Sequence, residues 1–116
     1  MRILVDINHP AHVHLFRNTI FHFKKQGHQV VVTSRDKDTT LGLLDYYGIK
    51  HRCISKAANN TLGLILELLN RNRKIFQLHK EFKFNFTLGT SVSIAHLSVI
   101  SGVPSYNFNE DDDDYV

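Results

Sequence analysis

The 116-residue chain has no tryptophan, one cysteine and only two prolines. A single cysteine excludes an internal disulfide, and we expect Cys53 to be a small buried side chain on a strand. No apolar run approaches the roughly 20 residues that cross a bilayer, and no signal-peptide pattern is visible. The chain also lacks Gly-x-Gly-x-x-Gly and Gly-Lys-Ser/Thr motifs, which disfavours a classical dinucleotide or nucleoside triphosphate site. These absences predict a cytoplasmic protein without a cofactor.

Charge is distributed unevenly along the chain. The formal net charge is +3, but five of the eleven acidic residues lie at 110–114. Residues 1–109 therefore contain 14 basic and 6 acidic residues. A body of this sign suits phosphate-bearing ligands, anionic lipid or nucleic acid, and it equally describes a solvated surface. Four adjacent aspartates are typical of a solvated chain end. We expect no nucleic-acid partner and keep an anionic membrane surface as a candidate.

Short apolar runs alternate with stretches of helical periodicity. The strands are predicted at 3–7, 30–33, 49–54, 84–88 and 103–108, and the helices at 11–25, 39–47, 61–82 and 92–100. This alternation predicts an α/β fold, a Rossmann-like three-layer sandwich whose five-stranded parallel sheet has the order 3-2-1-4-5 and helices on both faces. The apolar face of the long helix, which includes Leu62, Ile65, Leu66, Leu69, Ile75, Phe76 and Phe82, is expected to pack in the core. Its second half is basic through Arg71, Arg73, Lys74, His79, Lys80 and Lys83.

Ligands on such sheets bind at the carboxyl ends of the strands, beside the first strand. Three segments are expected to meet there: 8–14, 89–91 and 107–114. Small residues in the second segment let a ligand approach backbone N–H groups at a helix start. The predicted ligand-binding residues are Asn8, His9, His14, Gly89, Thr90, Ser91, Asn107 and Asn109.

Three histidines lie in or just after the turn that follows the first strand. On a helix His12 and His14 point about 200° apart, so only one of them faces a given site. No second His/Cys cluster at zinc spacing occurs, and we expect no metal site. His12 is the predicted catalytic residue, as a general base or phosphate partner, because imidazole titrates near neutrality. The alternative for His9, His12 and His14 is a set of polar turn residues that cap the helix.

The chain resembles an uncharacterised prokaryotic family of glycosyltransferase-like proteins, a domain of unknown function with a GT-B fold. The likeness lies in residues 1–17, 26–30, 33–38, 44–49, 89–91 and 102–108 and so spans nearly the whole chain. It is more distantly similar to the N-acetylglucosaminyltransferase of peptidoglycan lipid assembly and to UDP-N-acetylglucosamine 2-epimerases. In the former, a Gly-Gly-His-Val turn opens the first helix and its histidine lies by the reacting sugar. His12-Val13 matches that position, with Pro10-Ala11 in place of the glycines.

The resemblance implies that residues 1–116 form a single Rossmann-like domain, a truncated N-terminal half of a GT-B-like protein. It would be the acceptor-side domain of an enzyme of cell-envelope or surface polysaccharide synthesis, peripheral to the inner membrane and inactive alone. Its partners would be a sugar or lipid-linked sugar acceptor, and a nucleotide-sugar donor held by a missing C-terminal domain.

Two alternatives stay open. One is a non-catalytic, flavodoxin-like module that binds a small anion or a protein, for which an exposed edge around the fifth strand favours homo-oligomers. The other is a metal-dependent hydrolase that uses the histidines and the acidic tail.

Overall fold

The computed structural model describes residues 1–89 and 101–107. Its strands are β1 (Arg2–Ile7), β2 (Gln29–Asp36), β3 (Arg52–Lys56), β4 (Phe86–Gly89) and β5 (Ser105–Asn107), and its helices are α1 (Pro10–Lys25), α2 (Thr40–Tyr46) and α3 (Thr61–Phe82). All strands are parallel and the sheet order is β3-β2-β1-β4-β5. The predicted Rossmann-like architecture and strand order are therefore confirmed. The helix predicted at 92–100 lies outside the described residues.

β1 is the centre of the sheet, and its apolar sequence explains that position. Every residue of the strand after Arg2 is buried, because helices cover both faces. Alternate side chains enter different layers of the core. Ile3 and Val5 pack with the buried side chains of α1 and α2, whereas Leu4 packs with Ile75 of α3. The three layers expected from the sequence are present.

The two long helices begin and end where their sequences predict. His9 is the N-cap of α1, and Pro10 follows at the first helical position, where its missing N–H costs nothing. After the C-cap of this helix Gly27 adopts φ 89°, a left-handed conformation that glycine tolerates. The Asn60 side chain caps α3 by accepting a hydrogen bond from the Gly63 N–H at 2.6 Å.

The third strand begins three residues later than predicted. Ile49 does not belong to it, because its N–H bonds the Leu44 carbonyl at the end of α2 and its side chain joins the core there. An apolar residue just after a helix was thus mistaken for the start of a strand. Cys53 lies on β3 as expected, but it is exposed, so the prediction of a buried thiol is wrong.

Only the second half of α3 packs as the sequence predicts. Ile75 is fully buried, and Phe76 and Phe82 are partly buried against the same cluster. The first half instead exposes Leu62, Ile65, Leu66 and Leu69, so for these four residues the expectation of core packing is wrong. Helical periodicity cannot show how far a helix extends beyond the sheet it covers. Within the two described ranges, no helix combines the length and apolarity needed to cross a bilayer.

Candidate functional site

The carboxyl ends of β1, β4 and β5 lie side by side. Asp6 is in register with Gly89, and Gly89 with Asn107. The chain leaves β1 at Asn8, so the structure brings three predicted binding positions to one edge of the sheet. The other predicted positions beyond these strands, Thr90, Ser91 and Asn109, lie outside the described residues.

His12 lies in the first turn of α1, directly behind this edge, with 6% of its surface exposed. Its Nδ1 accepts a long hydrogen bond, 3.3 Å, from the backbone N–H of Asn8. A ring nitrogen that accepts carries no proton, so the neutral imidazole holds its proton on Nε2. This tautomer is a hydrogen-bond donor at Nε2, which suits orienting a hydroxyl or phosphate oxygen better than removing a proton.

Asn8 contributes a second polar group at the same place. Its Oδ1 is buried and has no hydrogen-bond partner within the described ranges. An unpaired buried acceptor costs about 1–3 kcal/mol, which a ligand hydroxyl or a water would recover. Asn8 and His12 together therefore form the polar end of a candidate binding site for a hydroxyl-bearing molecule.

The other two histidines have different roles. His9 caps α1, since its Nδ1 accepts a hydrogen bond from the Ala11 N–H at 3.1 Å. His14 is exposed, and its ring centroid lies 5.9 Å from that of Tyr47, the C-cap residue of α2. The structure thus separates His14 from His12, as their spacing on the helix predicts.

A serine, a histidine and an acid are linked elsewhere in the fold. Ser34 Oγ lies 2.8 Å from His51 Nδ1, and His51 Nε2 lies 2.9 Å from Asp45 Oδ1. The same three residue types form a hydrolytic triad, but there the serine bonds Nε2 and the acid bonds Nδ1. Here the two nitrogens are exchanged, and Ser34 is completely buried in β2, so its hydroxyl cannot meet a substrate. The chain of hydrogen bonds instead ties β2 and the segment before β3 to α2.

The described part of the chain contains no recognisable metal-binding site. No three His, Cys, Asp or Glu side chains there form a group that could hold an ion. The acidic tail, which the hydrolase alternative requires, lies outside the described residues.

A buried polar network joins α3 to the sheet just below the candidate site. Asp6, completely buried, accepts hydrogen bonds from Arg71 at 2.5 Å and from Thr33 at 2.8 Å. Arg71 also donates to Ser55 Oγ, and that hydroxyl donates to Glu67. Sequence reasoning missed this network and listed Arg71 only among the residues that make the second half of the long helix basic. The available signal was Asp6, a charge inside an apolar strand that must find a partner.

Glu67 is the second acid of the network and is also held inside the fold. Arg35 donates two hydrogen bonds to its carboxylate, at 2.7 and 2.9 Å, and the Ala58 N–H donates a longer one. Burial raises the pKa of Glu67, but the hydrogen bonds from Arg35 and Ser55 and the Arg35 charge outweigh it. The pKa of this carboxyl therefore lies below its ordinary value.

We expect Glu67→Gln to lower the free energy of unfolding by about 1–3 kcal/mol at pH 7. Because the folded pKa is lowered, this stabilisation is present above the unfolded pKa and is lost as the pH falls through the folded value. The wild-type unfolding free energy should therefore fall more steeply than that of the variant below about pH 5. Urea titrations at several pH values measure this difference.

Glu81→Gln is the matched control for this experiment. Glu81 lies on the same helix but is exposed, and it is 3.9 Å from Arg52. The control should change stability by less than about 0.5 kcal/mol. Equal effects of the two substitutions would show that Glu67 is not held as the structure indicates.

Solved structures with a similar fold include an epimerase, MurG and a glycosyltransferase. UDP-GlcNAc 2-epimerase from Neisseria meningitidis, bound to UDP-GlcNAc, has a TM-score of 0.69 and 14% identity over 90% of this chain and 31% of its own. MurG from Acinetobacter baumannii has a TM-score of 0.64 and 15% identity over 90% and 34%. A glycosyltransferase from Rickettsia africae has a TM-score of 0.61 and 19% identity over 98% and 32%. At these identities the likeness shows the fold alone.

Sequence comparisons give two further matches. Uncharacterized protein MJ0665 from Methanocaldococcus jannaschii is 32% identical over 57 residues, which are 49% of this chain and 17% of that protein. The chain spans about a third of the length of the three solved structures it matches. A family model described as "Protein of unknown function (DUF354)" matches residues 1–112. This chain therefore belongs to that family.

Proposed function

We propose that this chain is the acceptor-side, N-terminal domain of a GT-B-like glycosyltransferase, or of a related enzyme that uses a sugar nucleotide, in cell-envelope or surface polysaccharide synthesis. The observation that carries the proposal is the edge where β1, β4 and β5 end together, with Asn8 and buried His12 at the start of α1. In sheets of this topology that edge is where ligands bind.

The two site residues would divide the recognition of an acceptor hydroxyl. His12 would donate a hydrogen bond from Nε2 to a hydroxyl or phosphate oxygen, and Asn8 Oδ1 would accept one from a sugar hydroxyl. This arrangement supports an orienting role for His12 and gives less support to a general base.

The donor would be a nucleotide sugar held by a second domain. The Neisseria meningitidis epimerase, which has a similar fold, is described as bound to UDP-GlcNAc. This chain covers only about a third of that epimerase, of MurG and of the Rickettsia africae glycosyltransferase. Residues 1–116 would then be inactive without the rest of the enzyme. A lipid-linked acceptor would place the protein on the cytoplasmic surface of the inner membrane.

The test is acceptor-dependent release of UDP by the full-length protein. We expect a panel of UDP-sugars, offered with lipid extracts as acceptor, to yield at least one substrate. Residues 1–116 alone should release no UDP from the same substrate. If the full-length protein turns over no sugar nucleotide while residues 1–116 bind a small anion tightly, the binding-module alternative is favoured instead.

A further inference from the structure

The first half of α3 exposes a continuous line of aliphatic side chains. Leu62, Ile65, Leu66 and Leu69 recur at the spacing of one helix face, and each has more than half of its surface exposed. We call these four residues the α3 apolar stripe. Large aliphatic side chains grouped in this way mark an interaction surface more often than isolated ones do.

The same face becomes cationic further along the helix. Arg73 follows Leu69 by four residues and Lys80 follows by eleven, which keeps both on the side of the stripe. Both are exposed, and Lys80 Nζ lies 4.9 Å from the ring centroid of Phe76. An apolar segment continued by cations is complementary to a lipid surface with anionic headgroups.

Neither of the acidic residues of α3, a helix that the structure describes in full, opposes this charge along most of its length. The sequence of α3 contains two acids, Glu67 and Glu81. Glu67 points inward to Arg35 and Ser55, and its side chain is only 7% exposed. Glu81 lies in the last turn, beside Arg52. The outward face of the first five turns is therefore apolar and then positive.

We propose that α3 docks on an anionic bilayer, with the α3 apolar stripe in the headgroup region and Arg73 and Lys80 on lipid phosphates. A second copy of the chain fits this face less well. An antiparallel helix pair would press the cations of each copy against the leucines of the other, with no acid to pair them. The proposal rests on the proposed function only in that a lipid-linked acceptor brings the enzyme to a membrane.

The position of α3 explains how docking would serve the candidate site. α3 starts where β3 ends, so the stripe lies towards the same edge of the sheet as Asn8. Arg71, on the opposite side of the helix from the stripe, is bonded to Asp6, two residues before Asn8. The docked helix and the end of β1 would therefore keep a fixed distance.

The test measures co-sedimentation of the full-length protein with phosphatidylcholine vesicles that contain about a quarter phosphatidylglycerol. No sugar or nucleotide is added, so the result is independent of turnover. We expect binding at low salt that weakens at least about tenfold in about 0.5 M NaCl. The double variant Leu62→Ser and Leu66→Ser should bind at least about tenfold more weakly. Arg73→Glu with Lys80→Glu should also abolish the preference for phosphatidylglycerol.

The matched control is Leu15→Ser with Tyr46→Ser, two exposed apolar residues on the helices of the opposite layer. It should bind vesicles like the wild type. The proposal would be overturned if the wild type does not bind vesicles at low salt, or if the Leu62→Ser, Leu66→Ser variant binds them as tightly as the wild type. It would also be overturned if the wild type is a dimer in sedimentation velocity and the same leucine variant is a monomer, because the stripe would then contact a second copy.

Discussion

Replacing Arg71 by Met is expected to lower the free energy of unfolding by about 3–5 kcal/mol at neutral pH. The guanidinium is the charged partner of Asp6, which is completely buried on the central strand. Among the described residues, the Thr33 hydroxyl would then be the one donor left to the carboxylate. The total free energy of unfolding of a folded domain is about 5–15 kcal/mol. A loss of this size should therefore shift the midpoint of a urea titration, followed by circular dichroism, to a clearly lower concentration.

Two further variants separate the ion pair from general effects on the helix. Arg73→Met changes an exposed arginine of α3 and should cost less than about 0.5 kcal/mol. The double variant Asp6→Leu with Arg71→Met removes both charges and should recover most of the lost stability. If Arg71→Met is no more harmful than Arg73→Met, water reaches Asp6 and the pair is not buried as described.

Replacing His12 by Ala should lower the turnover of the full-length enzyme by about 10²-fold or more. The imidazole is held in the first turn of α1 by the Asn8 N–H, behind the edge where β1 ends. Initial rates with the sugar nucleotide found in the panel provide the measurement. Unchanged turnover would remove His12 from the site.

The conservative variant His12→Gln distinguishes the two roles of this residue. The amide of Gln can donate a hydrogen bond but cannot act as a base at neutral pH. If His12 orients the acceptor through Nε2–H, His12→Gln should recover a substantial part of the activity that Ala loses. Failure of Gln to rescue, together with loss of the acidic limb of the wild-type pH–rate profile in both variants, would assign a general base.

Some elements were predictable because local pattern and global position agree. The continuous apolar run of β1 predicts burial on both faces, and therefore the central place that the strand occupies. The bounds of α3 follow from its N-cap Asn60 and its helical periodicity, and the structure has them at Thr61–Phe82. With the first strand at the centre, right-handed crossovers then give the strand order 3-2-1-4-5.

The rest depends on distances that a linear pattern does not contain. The partner of Asp6 is 65 residues away, and Arg71 looks like any other cation of a basic helix until the sheet is in place. Ile49 is apolar and lies just before β3, so the pattern assigns it to the strand. It is in fact buried against Leu44 of α2. The tautomer of His12 depends on one backbone N–H of the preceding turn. In each case a tertiary contact decides, and local propensity does not carry that information.

The central position of β1 also governs how the protein is made. β1 is synthesised before the other described strands of the sheet, but its neighbour β4 pairs Phe86 with Ile3, more than 80 positions later. At roughly 5–20 residues per second, ribosomes need several seconds to cover that distance. During this time one edge of the most apolar strand has no partner. We therefore expect nascent chains to need a chaperone, and arrest of translation before residue 86 to leave an aggregation-prone product.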